Sequence, residues 1–184
     1  MKAETFVFQP VIEADRFILR PMQKSDAPNL AEHAADSRIA LGTKSIPHPL
    51  PSGATEALVA RAREDVRETD IWVLDGTKSG RAELLGCISL TRIGRGQSEV
   101  AFWVVPGSWN DGLASEAVRA LLAANPHQAT AIFAEVFQDN AGSARVLANN
   151  GFTYLGEAEA FSEARAAKVA TWTYMRCMKD QPKG

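Results

Sequence analysis

The chain has 184 residues, of which 46% are hydrophobic and 23% charged, and this length and composition predict one domain with its own core. Its 20 Lys and Arg against 22 Asp and Glu give a net charge of −2, so the basic excess typical of nucleic-acid binding is absent. The longest apolar run, Val100 to Val105, is far shorter than the ~20 residues that cross a bilayer. Two isolated cysteines and an N-terminus without an apolar secretion segment favour a cytoplasmic protein with no metal site and no membrane or nucleic-acid partner.

The first half of the chain predicts a strand, two helices and an antiparallel meander. The strand covers Arg16–Pro21 and is followed by helices over about Asp26–Asp36 and Ala54–Thr69, with a proline-bearing loop over Gly42–Gly53 between them. In the second helix one apolar stripe is formed by Leu58, Val59, Ala62 and Val66. Short glycine-bearing connectors then predict antiparallel hairpins between strands over Ile71–Asp75, Glu83–Arg92 and Ser98–Val105.

The second half alternates helices and strands. Helical patterns cover Leu113–Ala124 and Ala141–Asn150, and strand patterns cover Ala131–Phe137, Phe152–Gly156 and Val169–Met178. The whole chain thus predicts an α+β fold with a mixed, mostly antiparallel sheet of about seven strands flanked by about four helices. We expect a single domain over residues 1–184, in which residues 180–184 form a frayed tail.

Two segments carry most of the functional information. In SEVAFWVVPGSWNDGLASEA, Ser98–Ala117, a strand leads through a loop with Gly107 and Gly112 directly into a helix. Unpaired N–H groups and the positive end of such a helix can hold a phosphate, although an ordinary glycine turn would give the same pattern. In the second segment Asn140 and Ser143 flank a helix start, where simple capping is the alternative explanation.

Together, in this order and spacing, the two segments resemble the GNAT superfamily of N-acetyltransferases, and within it the branch of ribosomal-protein N-terminal alanine acetyltransferases. The stretches ADRFILRPMQKSDA and LLGCISL are similar to that branch's opening strand and helix and to its central hairpin strand. The resemblance covers nearly the whole chain and implies a GNAT-like fold and acetyl transfer from acetyl-CoA to a primary amine. The acceptor it implies is a protein N-terminal α-amino group, with a small-molecule amine or an aminoglycoside as the alternative.

A non-catalytic acyl-CoA-binding module is the alternative from another class. The resemblance also implies a homodimer, for which the sequence offers no interface.

The resemblance places acetyl-CoA between the fourth and fifth predicted strands. The strand backbone that it implies for pantetheine pairing belongs to Phe102, Trp103 and Val104. The loop and first helical turn implied for the diphosphate comprise Asn110, Asp111, Gly112, Leu113, Ala114 and Ser115. Asn140 and Arg145 are implied as further cofactor contacts, and Ser143 as the group that protonates the departing CoA thiolate.

Two carboxylates compete for the role of the base that deprotonates the acceptor amine. Glu99 lies on the fourth predicted strand and Glu135 near the end of the fifth, and we favour Glu99 slightly. A solvated strand carboxylate is the alternative for each. Leu147 stands where many relatives carry an acidic tyrosine, which shifts the expected acid to Ser143.

Asp111 departs from the family pattern, because it places a negative charge beside the expected diphosphate. We expect this charge to weaken cofactor binding, with Arg119 or Arg145 as the offsetting cation. The three histidines, His33, His48 and His127, have no metal-ligand spacing and predict surface or loop roles. Three strand tryptophans predict core or cleft positions, namely Trp72, Trp103 and Trp172.

Overall fold

One mixed sheet of eight strands organises residues 8–178, the part of the chain that the computed structural model describes. In chain order the elements are β1 (Ile12–Glu13), β2 (Ile18–Pro21), α1 (Ala27–Ala34), α2 (Ser37–Ala40), α3 (Ala54–Ala62), β3 (Thr69–Asp75), β4 (Gly86–Gly94), β5 (Gln97–Val104), α4 (Leu113–Ala124), β6 (Ala131–Phe137), α5 (Ala141–Asn149), β7 (Thr153–Ser162) and β8 (Ala167–Cys177). The strand order is β1-β2-β3-β4-β5-β6-β8-β7, and only β5 and β6 pair in parallel. The predicted mixed, mostly antiparallel α+β fold is therefore confirmed.

The element bounds differ from the prediction at a few places. The short elements β1 and α2 were not predicted, and β4 begins at Gly86, three residues later than expected. Helix α3 ends at Ala62, and Val66, predicted on its apolar stripe, is 73% exposed. The segment after Ala62 offers Val66 as its only large apolar residue, so a longer helix would gain no core contact.

The last hairpin is longer than predicted. Strands β7 and β8 pair from Thr153 opposite Met175 to Ser162 opposite Ala167, although most of β7 is exposed. Pairing with β8 rather than an apolar pattern defines this strand, so its second half carries no periodic signal in the sequence. The predicted tail at 180–184 lies outside the described residues.

Apolar side chains on the two faces of the sheet form two cores. One core joins α4 and α5 to the sheet and includes the fully buried Leu121, Ile132, Leu147 and Trp72. The other packs Leu30, Val59 and their neighbours on α1 and α3 against β3 and β4. Alternation of side chains along β3 sends Trp72 and Val73 into opposite cores. The helices therefore cover both faces and leave the strand ends free to form a site.

A buried polar network ties three separate segments together. His127 lies in a loop, as predicted, but its side chain is only 2% exposed. Its Nε2 lies 2.8 Å from Asp70 Oδ2, and its Nδ1 lies 2.8 Å from Ser98 Oγ. Burial raises the pKa of Asp70, but the hydrogen bond with His127 and the charges of Arg67 and Arg92 together lower it below its usual value. The network fastens β3 and β5 to the turn before β6.

The sheet opens between β5 and β6. Their ladder consists of three residue pairs only, Gln97–Glu99 with Ala131–Phe133, and the two strands separate beyond Glu99 and Phe133. Antiparallel partners β4 and β8 hold the outer edges of the two strands throughout. A V-shaped opening with unpaired backbone groups on its walls results, and β5 and β6 correspond to the fourth and fifth predicted strands.

Within residues 8–178, no helix is long and apolar enough to cross a membrane. The same residues contain no group of three or more His, Cys, Asp or Glu side chains placed to hold a metal ion.

Candidate functional site

Two cavities meet at the opening between β5 and β6. The α4 cavity, about 920 Å³, lies between β5, the loop before α4 and the start of α5. The α3 cavity, about 960 Å³, is bounded by α1, α3, the loop over residues 42–50 and strands β3 to β6. Residues that line both cavities are Gly42, Thr43, Phe102, Trp103 and Ser143. The two cavities therefore adjoin at the opened ladder.

The loop before α4 presents unpaired N–H groups to the α4 cavity. Asn110 and Gly112 take left-handed backbone conformations, with φ of 61° and 76°, which Asn and Gly tolerate best. No side chain of the described residues caps the helix at Gly112, and the first backbone bond of α4 runs from Glu116 N–H to Gly112 C=O. The three preceding N–H groups line up at the positive helix end, and they belong to Leu113, Ala114 and Ser115.

The charge of Asp111 is balanced by two arginines that the sequence did not suggest. Arg81 donates to its Oδ2 at 2.7 Å and Arg16 to its Oδ1 at 3.3 Å. The hydrogen bond from Arg81 is the largest cause that lowers the pKa of Asp111 below its usual value. Arg119 does not line the α4 cavity, whereas Arg145 does, but neither pairs with Asp111. The negative charge of Asp111 is therefore balanced as expected, but by Arg16 and Arg81, which lie 95 and 30 positions away along the chain.

We expect Arg81→Met to weaken binding of acetyl-CoA by up to about tenfold, because Asp111, which does not itself line the α4 cavity but precedes Gly112 at its edge, would lose one of its two cations. Asp111→Asn alone is expected to change the affinity by less than about threefold, since it removes a charge that is already balanced. The double variant Arg81→Met/Asp111→Asn is expected to regain most of the lost affinity. Isothermal titration of all four proteins measures the cycle, and additive losses would contradict this electrostatic account.

Asn140 and Ser143 occupy the start of α5. Asn140 Oδ1 accepts the N–H of Ser143 at 3.2 Å, so the expected capping is present, and its Nδ2 donates to Gly42 C=O at 3.4 Å. The Ser143 hydroxyl has no hydrogen-bond partner among the described residues, and this residue lines both cavities. Leu147, one helical turn further, is fully buried and offers no acid to the site.

Glu99 and Glu135 lie on the same face of the opened ladder. Glu99 pairs with Phe133 in the parallel register, and Glu135 follows two residues later, so both side chains point the same way. Lys44 Nζ joins them, at 2.6 Å from Glu99 Oε1 and 3.0 Å from Glu135 Oε1. Glu135 Oε2 also accepts from Thr171 at 2.9 Å, whereas Glu99 Oε2 has no partner in the described part of the chain.

Sequence reasoning missed Lys44, because it lies in the proline-bearing loop that carries no periodic pattern. Its partners are 55 and 91 residues away. Burial lowers the pKa of Lys44, but the hydrogen bonds and charges of Glu99 and Glu135 raise it above its usual value overall. Lys44 is therefore an ammonium ion held between two carboxylates at the mouth of the opening.

The remaining predicted residues surround the opening. Phe102 and Trp103 line both cavities, and Val104 lines the α4 cavity with Arg145. The Val104 C=O accepts from the Trp109 indole N–H at 2.8 Å. A parallel strand pair opened at mid-length, with free helix N–H groups on one side and carboxylates on the other, defines the acetyltransferase class of site that the resemblance implied.

A family comparison gives the same result. The model of the acetyltransferase (GNAT) domain matches residues 16–153, and the chain belongs to this acetyltransferase family. A sequence comparison with curated proteins finds no match.

Solved structures share the fold. The ribosomal-protein-S5-alanine acetyltransferase of Vibrio fischeri is 21% identical, with a TM-score of 0.73 over 95% of this chain and 100% of its own. A ribosomal L7/L12 α-N-protein acetyltransferase in complex with coenzyme A is 16% identical, with a TM-score of 0.78 over 94% of this chain and 100% of its own. The spermidine N-acetyltransferase of Vibrio cholerae, in complex with CoA and spermine, is 16% identical, with a TM-score of 0.74 over 89% and 96%.

Proposed function

We propose that this protein transfers the acetyl group of acetyl-CoA to a primary amine, with acetyl-CoA in the α4 cavity and the amine in the α3 cavity. The observation that carries this proposal is the Ser143 hydroxyl at the junction of the two cavities, which has no hydrogen-bond partner within residues 8–178. One acetyltransferase domain spanning the chain would then contain the whole site.

The residues of the α4 cavity fit the chemistry of acetyl-CoA. The N–H groups of Leu113, Ala114 and Ser115 would hold the diphosphate, since anions bind at free helix N-termini. The backbone groups of β5 near Phe102 and Trp103 that point away from β4 would bind the pantetheine arm and donate to the thioester oxygen, where such a donor stabilises developing charge by about 3–4 kcal/mol. When bound, acetyl-CoA supplies an activated acyl group and a thiolate leaving group.

The carboxylates of the α3 cavity fit an amine acceptor. An ammonium ion must lose a proton before it attacks a thioester, and a carboxylate at the opening is placed to receive it. We assign this role to Glu99, whose Oε2 has no partner among the residues that the structure describes, while both oxygens of Glu135 are engaged by Lys44 and Thr171. The Ser143 hydroxyl would donate its proton to the departing thiolate.

Among primary amines we favour a protein N-terminal α-amino group. Two of the structural relatives named above are acetyltransferases of ribosomal proteins. The third, a spermidine acetyltransferase, makes a small polyamine the alternative acceptor. A cavity of about 960 Å³ has room for several residues of a peptide as well as for a small amine.

The test combines binding and turnover with Ser143→Ala as the matched variant. Titration with acetyl-CoA is expected to give micromolar affinity for both proteins, because the hydroxyl is not needed for binding. With a panel of alanyl peptides and small amines, the kcat of Ser143→Ala is expected to be at least about tenfold lower. Binding without turnover on any amine would favour the non-catalytic acyl-CoA-binding module, and no binding at millimolar acetyl-CoA would refute the proposal.

A further inference from the structure

Lys44 occupies a place in the α3 cavity that an acceptor ammonium would fill. Its Nζ contacts both Glu99 and Glu135 at the mouth of the opening, with distances of 2.6 and 3.0 Å. Because both carboxylate oxygens contact one nitrogen, they lie within two hydrogen-bond lengths of each other. Its side chain is 34% exposed, so an incoming amine can reach the same pair of carboxylates.

The backbone around Lys44 is fastened in place by three residues from other segments. The C=O groups of Leu41, Gly42 and Lys44 accept hydrogen bonds at 2.8, 3.4 and 3.0 Å. The donors are Arg165 and Glu163 at the β7–β8 turn and Asn140 at the start of α5. The Lys44 ammonium is thus held at the opening by a loop whose backbone is anchored to other segments.

The charge balance of the α3 cavity depends on this residue. The carboxylates that line it are Glu64, Glu68, Glu99, Glu135 and Glu163. The cations that line it are Lys44, Arg61 and Arg67, and Arg67 is already paired with the buried Asp70 at 2.7 Å. Lys44 is the cation that neutralises the pair of carboxylates at the opening itself.

We infer that Lys44 is a specificity-determining residue that stands in for one acceptor ammonium and restricts the site to acceptors whose reacting ammonium is their only positive charge near the opening. This inference rests on the proposed function, because it takes the α3 cavity as the acceptor side. With Lys44 present, Glu99 and Glu135 together carry one uncompensated negative charge. A second cationic group on the acceptor then meets an ammonium of like charge.

The test compares butylamine, a monocation, with 1,4-diaminobutane, a dication of similar length. Both are titrated into CoA-saturated protein, so that no turnover is required. Lys44→Met is expected to bind the diamine about tenfold more tightly than the unaltered protein and butylamine less than about threefold more tightly. Lys44→Arg keeps the charge and is expected to retain the original preference, and 0.5 M salt is expected to reduce the gain of Lys44→Met.

Lys24→Met is the matched control, since Lys24 is exposed on the surface and its removal changes the net charge by the same amount. Equal gains for both amines in Lys44→Met, a similar gain in Lys24→Met, or no diamine binding to folded Lys44→Met would each overturn the inference. If the diamine preference shifts as expected but no variant acetylates any amine, the proposed function fails and the charge assignment stands. If amines are acetylated and the preference is unmoved, the specificity assignment alone fails.

Discussion

Glu99→Gln is expected to lower kcat by about 10²- to 10⁴-fold, the range in which removal of a general base acts. The amide has nearly the same shape as the carboxylate and can still contact Lys44, so the cavity keeps its form. Its oxygen cannot accept the proton of the acceptor ammonium at neutral pH. Steady-state kinetics with a responsive amine, together with titration of acetyl-CoA, measures the change, and the affinity for acetyl-CoA is expected to be unaltered.

Glu135→Gln is the matched control for this experiment. It removes a carboxylate that lies on the same face of the opening and contacts the same Lys44 ammonium. Unlike Glu99, Glu135 also accepts a hydrogen bond from Thr171 through its other oxygen. We expect its kcat to fall by less than about tenfold. A larger loss in Glu135→Gln than in Glu99→Gln would assign the base to Glu135, and small losses in both would show that neither carboxylate takes the proton.

Arg20→Met is expected to lower the free energy of unfolding by about 3–5 kcal/mol, the usual cost of removing one partner from a buried ion pair. Arg20 is 6% exposed and donates to Asp26 at 2.9 Å and to Asp75 at 2.8 Å, both of which are buried. The methionine fills similar space but leaves these carboxylates without their cation. Urea unfolding at pH 7 measures the loss, and Arg38→Met, at a solvent-exposed ion pair, is expected to change little.

The loss in Arg20→Met is also expected to depend on pH. In the native protein burial raises the pKa of Asp75, but hydrogen bonds from Thr77 and Arg20 lower it below its usual value overall. A carboxyl with a depressed pKa in the folded state stabilises the fold above about pH 4 and loses that contribution as the pH falls through the folded pKa. The difference between the two proteins should therefore stay nearly constant from pH 7 to pH 4 and shrink as the pH falls below about 4, and a difference that stays constant below pH 4 would exclude Asp75 as its source.

Local patterns were sufficient for most of the fold. Alternation and short glycine connectors predicted the meander that became β3, β4 and β5, because antiparallel hairpins are specified within a few residues of chain. Helix α4 and the loop before it were predicted for the same reason, since Gly112 and the apolar stripe after it are local signals. The prediction was wrong at Val66, where no further apolar residue nearby extends helix α3. It was also wrong for the second half of β7, which is defined by its pairing with β8 and not by an apolar pattern.

The residues of the candidate site also form two groups, those that local motifs predicted and those that only the structure revealed. Glu99, Glu135, Asn140 and Ser143 were nominated from two motifs, and the structure brings all four to one opening because those motifs form its walls. Lys44, Arg16 and Arg81 were not nominated, since each meets its partner across 30 or more residues of chain. Their positions follow from how loops cross strand ends, which no local periodicity encodes.

The amino-acid sequence by itself thus determined the order of helices and strands, the glycine-led start of α4 and the family resemblance, because each resides in a contiguous stretch of residues. Only the tertiary structure decided the charges of the site. The opening places Lys44 between Glu99 and Glu135, and the turn before β2 and the loop before β4 bring Arg16 and Arg81 to Asp111. Electrostatic energy depends on distances in space, and those distances exist only once the sheet has formed.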